Sequence, residues 1–543
     1  MGLLTDWFAS LSETERTLLL GRDTDDALHH AFDSKRVVHA GNPGTPMTPA
    51  DAAAHWEKAL ATPLTKPARQ LAYIHIPFCQ TKCLYCGFFQ NVSEQSAEDK
   101  YIDDLVKELE MAADLPRFQS SLIHAVFIGG GTPTSLSPKN AARLLDAIHQ
   151  CLPLANDAEL TLEGRIHDLV PEKMDVWMAH GVNRMSLGVQ SFHTKIRRQM
   201  NRIDDEETVL KNLAALKAYQ QCAVIVDLIY GLPDQTMDIW LEDLAMLEEA
   251  DVDGMDLYQL NVFEGSDLDR RIKEGRMSPA ASTQEQADMY AAAADYVGKR
   301  AFQKMNVRHW RRTPRERSLY NIYTKEGLPM YPFGSGAGGN IDGASLMLHR
   351  ALRPYEAMVA AGEKPIMGMM RQDPSQPMVN VVMHQLEQGY FQPGAAARAY
   401  PLLEGLDDLF SLWEERGLVT WNGVLYRLTT AGEFWQVNMA QTVNECIKKL
   451  NGGTPRLVKE SVAAQDDRKG KKEAEGKGTP SPLIDAIMRL TGVNAEAAEA
   501  MASRIPPNIK AMLDNMPPAM LDMAARSMGP EALKKMMEAA ERK

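Results

Sequence analysis

The chain has 543 residues, 45% apolar and 24% charged, with Lys+Arg 59 against Asp+Glu 72 and a formal net charge of −13. This composition excludes a wholly disordered or collagen-like chain and supports a sizeable core. The overall basic charge of a nucleic-acid binder is absent. No uninterrupted apolar run reaches the roughly 18 residues of a membrane span, and MGLLTDWFASLSETER lacks a basic-then-apolar secretory pattern. The expectation is a cytoplasmic protein with neither nucleic-acid nor membrane partners.

Residues 1–70 mix short helical stretches with the loop HAGNPGTPMTP and read as an N-terminal extension packed on the rest of the chain. β-rich runs then recur at 72–77, 122–128, 158–163, 184–189, 222–229 and 254–260. Amphipathic helical stretches at 96–114, 138–150, 171–180, 206–219 and 237–249 separate them. Strands alternating with helices predict parallel βαβ units. Six such units predict an α/β fold: a partial (β/α)6 barrel over 71–264, with its site at the C-terminal strand ends. Residues 265–400 read as a mixed α/β region covering the substrate. Residues 401–451 read helix–strand–strand–helix around the tight-turn signal WNG, a winged-helix-like pattern. Charge and Gly/Pro mark a linker at 452–482. Residues 483–543 are a helical tail; nine of the 31 methionines lie in 481–543.

Six cysteines in so long a chain argue against a disulfide framework. Cys151, Cys222 and Cys446 are isolated and read as buried thiols. Cys79, Cys83 and Cys86 stand in a C-x3-C-x2-C spacing directly after a strand, in YIHIPFCQTKCLYCGFF. Structural zinc usually takes four protein ligands, and the chain has no second cysteine pair. Three soft thiolates suit an iron–sulfur cluster better, and leave one of four irons open to a ligand. A zinc knob is the competing reading.

At these residues the sequence resembles the radical S-adenosylmethionine (SAM) superfamily. More narrowly, YxHIPFCxxxCxYCxF is similar to the oxygen-independent coproporphyrinogen oxidase branch. The likeness continues through FIGGGTPT (127–134), NRMSLGVQSF (183–192), MNR (200–202) and VDLIYGLPDQT (226–236). It implies a [4Fe–4S] cluster on Cys79, Cys83 and Cys86. Its open iron binds SAM, which is cleaved reductively to a 5′-deoxyadenosyl radical. It further implies two SAM molecules, the first near Tyr73, Gly130, Glu163 and Asn261. The second lies near Tyr85, Gly131, Thr132, Gln190, Arg202 and Asp227. Asp227 is notable on physical grounds as well, because an acid within the apolar run VIVDLIYG needs a partner or a ligand.

Three further segments, LTLEGRIHDL, RERSLYN and YPFGSGAGGNIDG, resemble the anaerobic haem-degrading radical SAM methyltransferases. That resemblance implies haem as substrate, methyl transfer to a meso carbon, opening to a linear tetrapyrrole and release of iron. It also implies a flavodoxin- or ferredoxin-type electron donor. The alternatives are coproporphyrinogen III decarboxylation and non-catalytic haem binding or transfer. Arg308, Arg311, Arg312, Arg315 and Arg317 could pair with haem propionates. The competing reading of that run is a solvated or partner-docking patch. His309 and His167 are candidate axial ligands to haem iron.

Overall fold

The computed structural model describes residues 2–37, 40–41, 44–88 and 90–455. The linker beyond 455 and the Met-rich tail lie outside the described residues. The six strands appear in the expected order: β1 (Gln70–Ile76), β2 (Ile123–Gly130), β3 (Leu154–Gly164), β4 (Arg184–Gln190), β5 (Ala223–Tyr230) and β6 (Gly254–Gln259). Each pairs in parallel with the next. Between them run α1 (Gln95–Ala113), α2 (Pro138–Cys151), α3 (Pro171–Ala179), α4 (Glu206–Ala218) and α5 (Met237–Glu249).

Local chemistry explains these elements. Strands such as AVIVDLIY are apolar almost throughout because both faces of a parallel sheet are covered. Helix starts are capped by side chains: Ser137 accepts from the Asn140 N–H, Asp205 from Thr208 and Thr236 from Ile239. Pro138 and Pro171 fit the first helical turn, where an N–H is dispensable.

The barrel is open, as expected. The outer edge of β6 takes an antiparallel strand, β7 (His309–Arg311), and that of β1 takes a parallel one, β8 (Met330–Phe333). Antiparallel strands β9 (Gly338–Ile341), β10 (Ala344–Leu348) and β11 (Ile366–Arg371) extend the sheet beyond β8. The mixed region at 265–400 thus adds strands on both sides of the six, and Thr45–Pro46 of the N-terminal extension pairs on the outer edge of β11.

Near the C-terminal end of the described chain lie α6 (Asp407–Glu415), a hairpin, and α7 (Gln436–Leu450). The hairpin strands Val419–Trp421 and Tyr426–Leu428 turn at Asn422–Gly423, where Gly423 takes φ +93°. A third strand, Tyr390–Phe391, lies before residue 401 and joins them. The N-terminal extension reaches this region. Trp413 donates to the Leu20 carbonyl, Trp435 to that of Leu28, and Asn438 accepts from the Arg36 N–H. No helix among the described residues is long and apolar enough to cross a membrane.

Candidate active site

The cysteine loop begins where β1 ends. Phe78–Cys79 pairs in parallel with Asn91–Val92, closing the loop that carries Cys83 and Cys86. Backbone carbonyls fasten it to the barrel: that of Thr81 accepts from Arg165, Lys82 from Asn201 and Leu84 from the Leu268 N–H. Leu84 packs into a small apolar cluster with Ile196, Met200, Ile229 and Leu268. Cys79 and Cys83 are buried and Cys86 is half-buried. Thr132 Oγ1 donates to Cys79 Sγ at 3.3 Å, and the Phe88 N–H to Cys86 Sγ at 3.3 Å. Burial pushes the Cys79 thiol up, against the Thr132 contact.

The loop faces a cavity of about 460 Å³ at the C-terminal ends of the strands. Cys83, Cys86 and Tyr85 line it, with Gly130 and Gly131 from the end of β2 and Glu163 from β3. Gln190, Arg202, Asp227 and Asn261 complete the strand-end side. The glycines are sterically required. Gly130 has φ +115°, and a Cβ there would lie 2.6 Å from the His75 ring. A Cβ on Gly131 would collide with the Phe78 carbonyl. Gln190 is a non-glycine residue at φ +73°, beside a register shift between β4 and β5. Such backbone strain is typical of functional positions.

Three expected residues lie apart from the cavity lining. Cys79 and Thr132 sit behind it in contact with one another. Tyr73 packs inside the barrel, its hydroxyl 3.0 Å from His75 Nδ1 and its ring stacked on Phe127.

The charged groups are arranged for ligands. Arg202 is buried and donates to the Tyr85 hydroxyl at 2.8 Å, while its Nε is buried without a partner. Burial pushes Glu163 up to about 7 although it accepts from the Gly130 N–H at 3.1 Å. Burial, then Asp256 and Glu163, push Asp227 up to about 8. Both acids therefore hold protons at or near neutral pH.

The donor set fits a cluster better than zinc. Among the described residues no three His, Cys, Asp or Glu side chains lie close enough to hold one metal ion. One tetrahedral zinc with ~2.3 Å bonds would draw its sulfurs to about 3.8 Å apart. A four-iron cluster instead takes each thiolate on a separate iron. The unpaired Arg202 Nε and the two strand-end acids fit a zwitterionic ligand such as SAM.

The histidine readings are corrected. His309 is fully buried, with Nδ1 3.0 Å from Asp256 and Nε2 3.2 Å from Glu316, so neither nitrogen is free for iron. His167 is exposed beside Asp204, on a small surface pocket instead of the main cavity. The arginine run is corrected too, because its members diverge. Arg311 binds Gln303, Arg312 pairs with Asp251, Arg315 caps the Gln220 carbonyl and Arg317 that of Asp157. Only Arg308 of the five lines the cavity. The sequence reading missed Asp256, although an acid in GMDLYQ carries the same signal as Asp227. It also missed Lys35, Tyr290 and Phe434, which reach the cavity only through long-range packing.

A strand-end cavity fed by a three-thiol loop on an open (β/α)6 barrel defines a radical SAM protein. The Radical SAM superfamily profile matches residues 73–247. The chain is 37% identical to anaerobilin synthase of Escherichia coli O157:H7 over 435 residues, 79% of this chain and 95% of that one. It is 32% identical to heme chaperone HemW of Lactococcus lactis over 272 residues, 50% of this chain and 70% of that one. The coproporphyrinogen III oxidase (HemN) structure from Escherichia coli superposes with TM-score 0.62 at 22% identity, over 72% of this chain and 92% of that one. The chain belongs to the radical SAM family that includes anaerobilin synthase and heme chaperone HemW. Its cofactors are those of the family, a [4Fe–4S] cluster and SAM.

Proposed function

We propose that this protein degrades haem without oxygen. A SAM-derived methyl group goes to a meso carbon, the macrocycle opens to a linear tetrapyrrole, and iron is released. The observation that carries this reading is the extent of the likeness to anaerobilin synthase. A match over 79% of the chain takes in Tyr290 and Arg308 wherever it begins. It therefore includes cavity walls that lie outside the barrel.

Cys79, Cys83 and Cys86 would hold the cluster, which would supply single electrons. The remaining work falls to side chains. Arg202 offers its unpaired Nε to a carboxylate. Asp227, mostly protonated near pH 7, and Glu163, about half protonated there, offer hydrogen bonds to hydroxyl or amino groups of SAM. The second SAM belongs to the side bearing Tyr85, Gln190, Arg202 and Asp227. Gly130 and Gly131 let backbone approach a ligand where a side chain would intrude. Ile229, Leu257, Leu260 and Phe434 give the cavity the apolar wall a tetrapyrrole needs, and exclude water from it. A flavodoxin- or ferredoxin-type protein is the proposed electron source.

Anaerobic incubation of the cluster-loaded protein with haem, SAM and reductant tests the reading. Loss of the haem Soret band with a ring-opened product supports it. Carbon dioxide release from coproporphyrinogen would assign the decarboxylase reaction instead. Stoichiometric haem binding without turnover would assign a carrier.

A further inference from the structure

The part of the cavity wall that comes from outside the barrel has its own chemistry. Tyr290, Val307, Phe434 and Val437 form an aromatic and aliphatic surface. Two cationic side chains, Lys35 and Arg308, interrupt it. The acids near them are already engaged. Glu433 is bound by Lys304 at 2.5 Å and by the Tyr290 hydroxyl at 3.1 Å. Glu387 lies 3.9 Å from Arg308 and is held by Lys325 at 2.9 Å.

Lys35 is the more telling of the two. It is half-buried, its Nζ stands 4.3 Å above the Phe434 ring, and no carboxylate among the described residues forms an ion pair with it. Buried cations without anionic partners are costly and therefore uncommon. Burial and the neighbouring Arg308 charge push its proton affinity well down. An anion arriving between the two would restore the ammonium form. The fold also works to bring Lys35 here. The adjacent Arg36 is locked to Asn438 and Thr442 of α7, which fixes this segment of the N-terminal extension at the cavity mouth.

We propose that Lys35, with Arg308, recognises the carboxylates of the substrate while the apolar wall takes its ring. This deepens the functional reading above and rests on it. For a haem-type substrate the carboxylates are the propionates. Lys35 is then a specificity residue contributed by the N-terminal extension, outside the radical SAM barrel.

The test is Soret titration of the cluster-loaded full chain under anaerobic conditions, with haem and with haem dimethyl ester. Lys35→Met keeps the aliphatic stem over Phe434 and removes the charge; Lys35→Arg keeps the charge. A charge-assisted contact of ordinary strength predicts that Lys35→Met binds haem about tenfold or more weakly. The variant should bind the ester as the wild type does, and Lys35→Arg should bind haem within about threefold of it. Unchanged haem affinity in Lys35→Met, or equal loss for haem and ester, would overturn the assignment while leaving the functional reading intact. A wild-type protein that binds no haem would sink the functional reading and this assignment together.

Discussion

Nδ1 of His309 lies 3.0 Å from the Asp256 carboxylate, on the strand next to it. On its other side Nε2 is 3.2 Å from Glu316, which Arg184 holds at 3.0 Å. All four side chains are buried, and alternating charge runs through them. Burial alone would drive the proton off His309, but Asp256 and Glu316 outweigh it and hold the imidazole up at about 10. His309 is therefore a buried structural cation.

His309→Gln should leave the spectrum of bound haem unchanged and cost about 3 kcal/mol of stability, because two buried carboxylates lose their cation. The loss should depend on pH. A group raised from 6.5 to about 10 stabilises fully below pH 6.5 and loses that contribution as pH rises toward 10. Glu316, held down at about 2, contributes above pH 4.5 and loses its share as pH falls toward 2. The Tm gap between wild type and variant should thus narrow from pH 6 to pH 10. A changed haem ligand field in the variant would return His309 to the list of iron ligands.

Asp227 has the opposite sign. Its folded pKa of about 8 lies above its ordinary 3.8, so it weakens the fold increasingly as pH rises from about 4 to 8. Asp227→Asn should raise Tm at pH 8 more than at pH 5, load its cluster normally and lose methyl transfer at least about tenfold. Normal amounts of methylated product from this variant would remove Asp227 from the site.

Replacing Cys79, Cys83 or Cys86 singly with Ala should abolish cluster loading and all SAM cleavage. Cys151→Ala, Cys222→Ala and Cys446→Ala should retain both, since none of the three belongs to the 79–86 loop or lines the cavity. Gly131→Ala should mimic the first group in part, because its Cβ would displace the Phe78 carbonyl next to Cys79. Iron and sulfide content of the six cysteine variants and Gly131→Ala checks this. Cluster loss in Cys151→Ala, Cys222→Ala or Cys446→Ala with the fold intact would contradict it.

Among the described residues Val437 is the last in sequence to line the cavity. A chain ending near Asn451 should therefore load its cluster and turn over haem with kcat within about twofold of the full chain. A rise in KM alone would mean that the Met-rich segment helps deliver substrate. A cluster-loaded truncation inactive at saturating haem would place that segment in the active site.

The barrel was legible because its signals are local. Strand runs and the helical stretches between them are written within a dozen or so residues of one another. The cysteine loop and the strand-end acids followed from them. What stayed hidden depends on contacts across hundreds of residues. Arg36 meets α7 at a separation of 402, one of several such contacts that set Lys35 beside the cavity. The arginine run misled for a related reason. Five guanidinium groups close in sequence share composition, but β7 and the loop after it turn them toward different partners.

The most direct measurement is mass spectrometry of the tetrapyrrole formed from haem, with SAM carrying a 13C-labelled methyl group as the only methyl source. The account predicts a linear product heavier by the label, appearing as the Soret band falls and free iron rises. An unlabelled linear product would remove methyl transfer from the mechanism. Haem recovered intact while SAM is cleaved would contradict haem degradation itself.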